Sequence, residues 1–189
     1  MLNVPDLRSL SGREVLDLFG ELEAPAMTDL KGEYAAITLA HPTPFFTQLS
    51  WLSLNTPVTG RWVGKAFDGG ESGGDVGRGY NNFRRRGRVV QCYPMITTIA
   101  PSRFDGKPSF QLVYRGFHGL SGACNVLDEV RKVDEDRFLG IGTCGFTPRQ
   151  RMIPQPFQLL GPRSPYKGDI GRPRAGFDLQ EALVTHAKS

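Results

Sequence analysis

Glycine and proline punctuate this chain so often that they limit its fold more than any other feature. Gly supplies 23 residues and Pro 14, together 37 of 189, about a fifth of the chain against roughly 12% in ordinary proteins. No collagen period and no low-complexity tract accounts for them. They fall between short runs rich in Val, Ile and Thr and in the 12 Phe, so the expected product is a set of short strands in a sandwich or barrel. No repeat of 20 to 50 residues is visible, which removes solenoids and propellers. With 39% hydrophobic and 22% charged residues, the chain can bury one core and is too apolar for a disordered polymer.

Local signals place the elements. Ser11-Gly-Arg-Glu14 has the form of a capping box, with Leu10 and Val15 as a hydrophobic staple. The short helix that follows carries Val15, Leu16, Leu18 and Phe19 as one apolar stripe. Residues 34–40 read as a first strand, and Thr43-Pro44 as the cap and first position of a second helix over about 44–54. That helix is expected to turn Phe45, Phe46, Leu49 and Leu52 inward. Strands are expected at 60–67, 77–83, 87–100, 109–117, 122–127, 129–134, 137–145 and 156–160. Asp105-Gly106 and residues 134–136 supply turns. One domain over 1–160 is the expectation. Residues 161–189 read as a Pro-, Gly- and Arg-rich strap or tail, ending in a short helix capped by Asp178 with Glu181 three residues on.

Several functional classes are disfavoured. Cys92, Cys124 and Cys144 are too few and too widely spaced for a disulfide framework, which points to a reducing, cytoplasmic setting. The first residues lack a basic segment followed by an apolar one, and no run approaches the roughly 18 apolar residues of a membrane span. His41, His118 and His186 lie far apart, with no local chelating motif, so no metal site is expected. The glycine tract 69–79 lacks the spacing of a P-loop and leads into strand-like sequence, so it reads as a mobile loop. Gly119-Leu-Ser121-Gly122 is not a nucleophile elbow.

The net charge of +4 is local. Arg78, Arg84, Arg85, Arg86 and Arg88 lie within eleven residues, and without them the net charge is −1. With Tyr80, Phe83 and Tyr93 nearby, this patch could serve a nucleic acid, but no RNP, KH or finger pattern accompanies it. A solvated edge or a gate for an anionic ligand is the preferred reading.

Leu30-Lys-Gly32-Glu-Tyr34, Ala40-His41-Pro42 and Trp62-Val-Gly64-Lys65-Ala-Phe67 resemble, in that order, the signature of bacterial GXWXG-type proteins. Tyr114-Arg115-Gly116, Asp128-Glu-Val-Arg131, Phe138-Leu-Gly140 and Pro156-Phe157-Gln-Leu-Leu160 are similar to the domain of unknown function that usually follows. The resemblance spans about residues 28–160. A Gly-x-aromatic motif opening the first strand after a short helix also looks like the start of a lipocalin-type (calycin) barrel. It implies a mainly β fold: a closed antiparallel barrel with two short N-terminal helices and an interior cup.

Such a cup would hold a small, mostly apolar molecule bearing a carbonyl, carboxylate or phenol, with no cofactor required. Phe45, Phe46, Trp51, Trp62, Tyr80, Phe110, Tyr114, Phe117 and His118 are the candidate wall. Polar residues embedded in apolar strand sequence either face solvent or face inward and need partners. On the inward reading, His41 is the candidate acid or base, Lys65 and Arg115 stabilise negative charge on oxygen, and Asp128 orients one of them. Arg115 or Arg131 could instead pair with Asp128 as a structural clasp. The expected activity is cofactor-independent isomerase, cyclase or lyase chemistry; the alternative is a carrier that only holds its ligand. The oligomeric state is left open, a homodimer included.

Overall fold

The computed structural model describes the backbone of residues 6–70 and 74–187, and their side chains except those of 49–53 and 184–187. Helix α1 (Gly12–Glu21) begins at the expected capping box: Ser11 Oγ accepts from Glu14 N while Glu14 Oε2 accepts from Ser11 N at 2.7 Å. Strand β1 (Lys31–Thr38) follows, then α2 (Pro44–Leu54), the two-residue β2 (Asn55–Thr56) and β3 (Gly60–Asp68). Next come β4 (Val76–Arg85), β5 (Arg88–Pro101), β6 (Pro108–Val113), the short α3 (Leu120–Ala123), β7 (Leu127–Lys132), β8 (Arg137–Thr143), β9 (Gln155–Ser164) and α4 (Leu179–Ala187).

Every strand pairs antiparallel with its neighbour in the order β1-β9-β8-β7-β6-β5-β4-β3, and β3 returns to β1, so eight strands close into a barrel with β2 appended at β3. Closure leaves no open edge among these eight strands, which short strands with frequent turns achieve at low cost in loop length. The fold is therefore mainly β and barrel-shaped, as the turn density implies. The expected strand over 122–127 is a correction: α3 and a turn occupy 120–126, and the next strand starts at Leu127. The strand expected over 109–117 ends at Val113, and that over 156–160 runs on to Ser164. The glycine tract falls partly on residues 71–73, outside the described residues, and β4 begins just beyond it.

Alternation sorts side chains between two faces. In β8, Phe138, Gly140 and Gly142 face inward, while Leu139 and Ile141 face outward and join Val15 and Phe19 beneath α1. One end of the interior is solid: Tyr34, Phe67, Phe110 and Phe138 pack there in tilted or edge-on ring contacts with centroids 5.5 to 5.8 Å apart, joined by Leu112, Val130 and Leu159. The other end is hollow. On the outside, Phe177, Leu179, Ala182 and Leu183 lay the C-terminal helix against Ile96, Val113 and Leu127. Residues 161–189 thus contain the end of a barrel strand and part of an outer core, together with an irregular strap between them.

Candidate functional site: a cup with a charged floor

The hollow end of the barrel is a cavity of about 220 Å³, a size suited to one small ligand in an eight-stranded barrel. Its wall is aromatic and aliphatic, with Trp62, Phe83, Tyr93, Tyr114, Val126 and Phe157 prominent, and Leu54 of α2 and Leu120 of α3 at the mouth. Two bulges shape it. The β3–β4 register shifts between Trp62 and Gly64, which lets Trp62 and Lys65 enter the same cavity although they stand three positions apart, an odd spacing that would otherwise put them on opposite faces. The β4–β5 register shifts between Gly79 and Asn81, opposite Tyr93. Tyr93 takes φ of +52° there, a conformation that costs a bulky residue energy and delivers its ring to the cavity wall.

At the floor of the cup lies a buried polar network. Lys65 Nζ donates to Asn81 Oδ1 at 2.9 Å, to Tyr114 Oη at 2.7 Å and to Asp128 Oδ2 at 2.6 Å. Those three bonds use every hydrogen an ammonium has. Tyr114 donates to Asp128 Oδ2 at 3.0 Å and accepts from Asn81 Nδ2 at 2.8 Å, while Trp62 Nε1 donates to Asn81 Oδ1 at 3.0 Å. The rings of Trp62, Tyr114 and Phe157 stand 5.2 to 5.4 Å from Nζ and add cation–π attraction. Asp128 meets these partners through Oδ2. Its other oxygen, Oδ1, lies against Gly142, where an added Cβ would come within 2.8 Å of it, so glycine at 142 keeps the space beside that oxygen open.

The electrostatics follow from the burial. Desolvation pushes the Lys65 ammonium below the ordinary lysine range, and Asp128 opposes that shift without cancelling it. Burial, reinforced by Asp128, holds the Tyr114 phenol well above its usual range, so it remains a protonated donor. The floor therefore presents a largely apolar space in which, among the described residues, Asp128 Oδ1 has no hydrogen-bond partner.

The other residues singled out from sequence lie elsewhere. His41 sits in the connection between β1 and α2, where Nδ1 accepts from Thr43 N at 2.8 Å and the ring meets Phe46 at 5.0 Å; it does not line the cavity. Burial lowers the His41 pKa, and the hydrogen bond with the Thr43 backbone opposes that shift without cancelling it. Arg115 lies in the turn after β6, and His118 is exposed. Phe45 is exposed at 65%, Phe46 is half-buried against His41, and the Trp51 side chain lies outside the described residues. Phe110 belongs to the solid end of the barrel. Phe117 belongs to the outer core and carries Arg78 on its ring face. Tyr80 faces outward beneath the strap, stacked on Tyr166 at 5.1 Å and bonded to Glu33, and burial pushes its hydroxyl up to about 12. Of the named candidates, Lys65, Asp128, Trp62 and Tyr114 meet in one site.

Asn81, Tyr93 and Phe157 line the site and were not singled out as site residues. Asn81 carried no distinguishing signal, since it stands beside Asn82 in a strand that also holds Arg78, Arg84 and Arg85. The outer face of β7 holds a second buried charge cluster. Arg131 forks onto Asp105 with both bonds at 2.7 Å, and Glu129 accepts from Arg103 N at 3.0 Å and Ser109 Oγ at 3.2 Å. Among the described residues there is no group of three or more His, Cys, Asp or Glu placed to hold a metal ion, and no helix long and apolar enough to cross a membrane.

Comparison with known proteins adds the fold. No protein-family model matches the chain, so the likeness to the GXWXG-type family gains no support there. No curated protein matches it either. A crystal structure of a protein from Thermomonospora curvata superimposes with a TM-score of 0.53 at 15% identity, covering 80% of this chain and 87% of that one. At that identity the likeness speaks for the fold, and with the eight-stranded closed barrel it fits a lipocalin-like form suited to ligand binding.

Proposed function

We propose that the cup binds a small, mostly apolar organic molecule through a hydroxyl, phenol or similar donor, and that Asp128 transfers a proton on it without a cofactor. The carrying observation is the saturated floor. Lys65 has no hydrogen left to offer an incoming carbonyl or carboxylate, whereas Asp128 Oδ1 has an unused lone pair at an apolar wall. This narrows the ligand groups expected from sequence toward the donor end and moves the acid–base role from His41 to Asp128.

In this reading Asp128 takes a proton from the ligand and returns it to another atom of the same molecule, an isomerase-type outcome that consumes no co-reactant. Lys65 and the Tyr114 hydroxyl hold Oδ2, keep the carboxylate oriented and balance its charge through the cycle. The runner-up, a carrier, draws support from the position of His41 and Arg115 outside the cup, since fewer titratable groups reach the ligand. The test is solvent exchange on whatever small molecule co-purifies. In D₂O the wild-type protein should introduce deuterium into that molecule and Asp128→Asn should not. Binding without exchange in both proteins would replace the enzyme with the carrier.

A further inference from the structure

Five arginines cluster at the mouth end of the barrel, and they are not the set a reading of consecutive sequence selects. Arg78 leaves the patch, pairing with Asp169 at 3.3 Å and donating to Ile170 O at 2.9 Å under the strap. Arg61 joins it from β3, lying directly opposite Arg84 of β4, and Arg85 lies directly opposite Arg88 across the β4–β5 hairpin. Like charges directly opposite one another destabilise a sheet. The tip adds a second local cost, since Arg86 takes φ of +49° before Gly87 at +79°, a position in a two-residue hairpin that favours Asn, Asp or Gly. Among the described residues, no ion pair offsets these charges. A recess of about 370 Å³ opens between the Asn55–Thr56–Pro57 segment and the hairpin, lined by Arg61, Arg84, Arg85 and Arg86.

We propose that this recess binds a phosphoryl group. Guanidinium forks match phosphate oxygens in geometry, and four arginines lining one recess favour a group with more than one negative charge. The two costs to the sheet concentrate cationic density where the chain could have placed Asn-Gly and neutral cross-strand pairs. Asn55 and Thr56 follow Leu54, and Arg61 precedes Trp62, so the recess adjoins two residues of the cup wall. The site does not depend on what the cup holds.

The phosphoryl group could belong to a small soluble molecule or to a lipid headgroup, and the experiment separates them. Pyrophosphate is titrated calorimetrically into wild type, Arg84→Gln and Arg61→Gln at physiological ionic strength, and the same proteins are co-sedimented with phosphatidylcholine vesicles with and without phosphatidic acid. Pyrophosphate binding weakened at least tenfold in either variant supports a soluble ligand. Co-sedimentation that needs phosphatidic acid and is lost in the variants supports a lipid headgroup. In anion-free buffer both variants should melt at a higher temperature than wild type, because one like-charge contact is gone; this readout also shows that they fold. Wild type that binds neither probe, variants that bind as wild type does, or a single-stranded oligonucleotide that outcompetes both probes would overturn the proposal.

Discussion

Asp128 on the inner face of β7 and Arg131 on its outer face are three residues apart and both buried, yet they are embedded differently. Arg131 is sealed beneath α1: its guanidinium forks onto Asp105, donates to Phe19 O at 2.7 Å and stacks 4.5 Å from the Phe19 ring. It does not line the cup. Asp128 is held as firmly on one oxygen by Lys65 and Tyr114, but its other oxygen borders open apolar space. Burial of charge by itself is thus not a mark of function here. The outer pair ties a helix and a hairpin to the barrel, and the inner pair leaves a hydrogen-bonding position for something else.

The sharpest way to break this contrast is to remove one partner on each face. Arg131→Ala should cost about 3–5 kcal/mol in urea unfolding, because it empties the space of a fully buried side chain under α1, breaks the pair with Asp105 and leaves Phe19 O without its donor. Should that variant fail to fold, Asp105→Asn gives the milder version of the same loss. Lys65→Met should cost a similar amount, about 3–5 kcal/mol, since it leaves the Asp128 carboxylate buried without its countercharge and with only the Tyr114 hydroxyl as a partner. Adding Asp128→Leu to Lys65→Met should recover stability to within about 1 kcal/mol of wild type while abolishing ligand binding, as a buried ion pair is often replaceable by apolar residues. A double variant that still binds would show that the inner pair is as structural as the outer one.

Gly142→Ala sharpens the contrast at a single atom. Its Cβ would crowd Asp128 Oδ1, so the carboxylate must shift, at a cost of about 1 kcal/mol in stability and about tenfold in ligand affinity. The smallest effect is in the pH dependence. The bond from Arg131 holds the Asp105 carboxyl below the usual aspartate range, so its contribution is complete above the unfolded value of about 3.9 and is lost as pH falls through the folded one. Lys65 runs the other way. Its folded pKa is below the unfolded one, so this group's penalty shrinks as pH rises through that window. Relative to Lys65→Met, wild type should gain stability as pH rises toward the unfolded lysine value of about 10.4, measured by chemical unfolding at each pH.

What the sequence made legible was local. The capping box at Ser11 and Glu14, the Asp105-Gly106 turn and the Asp178 cap, which accepts from Glu181 N at 3.0 Å, involve residues within four positions of each other. The strand beginning at Arg137 was legible too. Trp62 and Lys65 entering one cavity was not, because a bulge reverses the side on which every later residue of the strand falls. Tyr80 looked like wall and faces outward because its partners, Glu33 and the Tyr166–Lys167 segment, come from far along the chain. His41 was drawn in by its neighbourhood to Pro42. Only the packing of α2 decides where that end of β1 lies.

The central claim, that Asp128 Oδ1 is an acceptor waiting for a donor on an apolar ligand, has a direct test in a change of sign. In Asp128→Asn the amide oxygen must take the Oδ2 position, since Lys65 and Tyr114 both donate there, and this turns the NH₂ toward the cavity. Affinities of 2-naphthol, 2-naphthaldehyde and 2-methylnaphthalene for the two proteins, measured by calorimetry, read that exchange. Wild type should prefer the naphthol over the methyl compound by at least tenfold, consistent with about 1.5–3 kcal/mol for a hydrogen bond to a charged group, and Asp128→Asn should prefer the aldehyde. The same order of affinity in both proteins, or no binding of any of the three by wild type, would contradict the account.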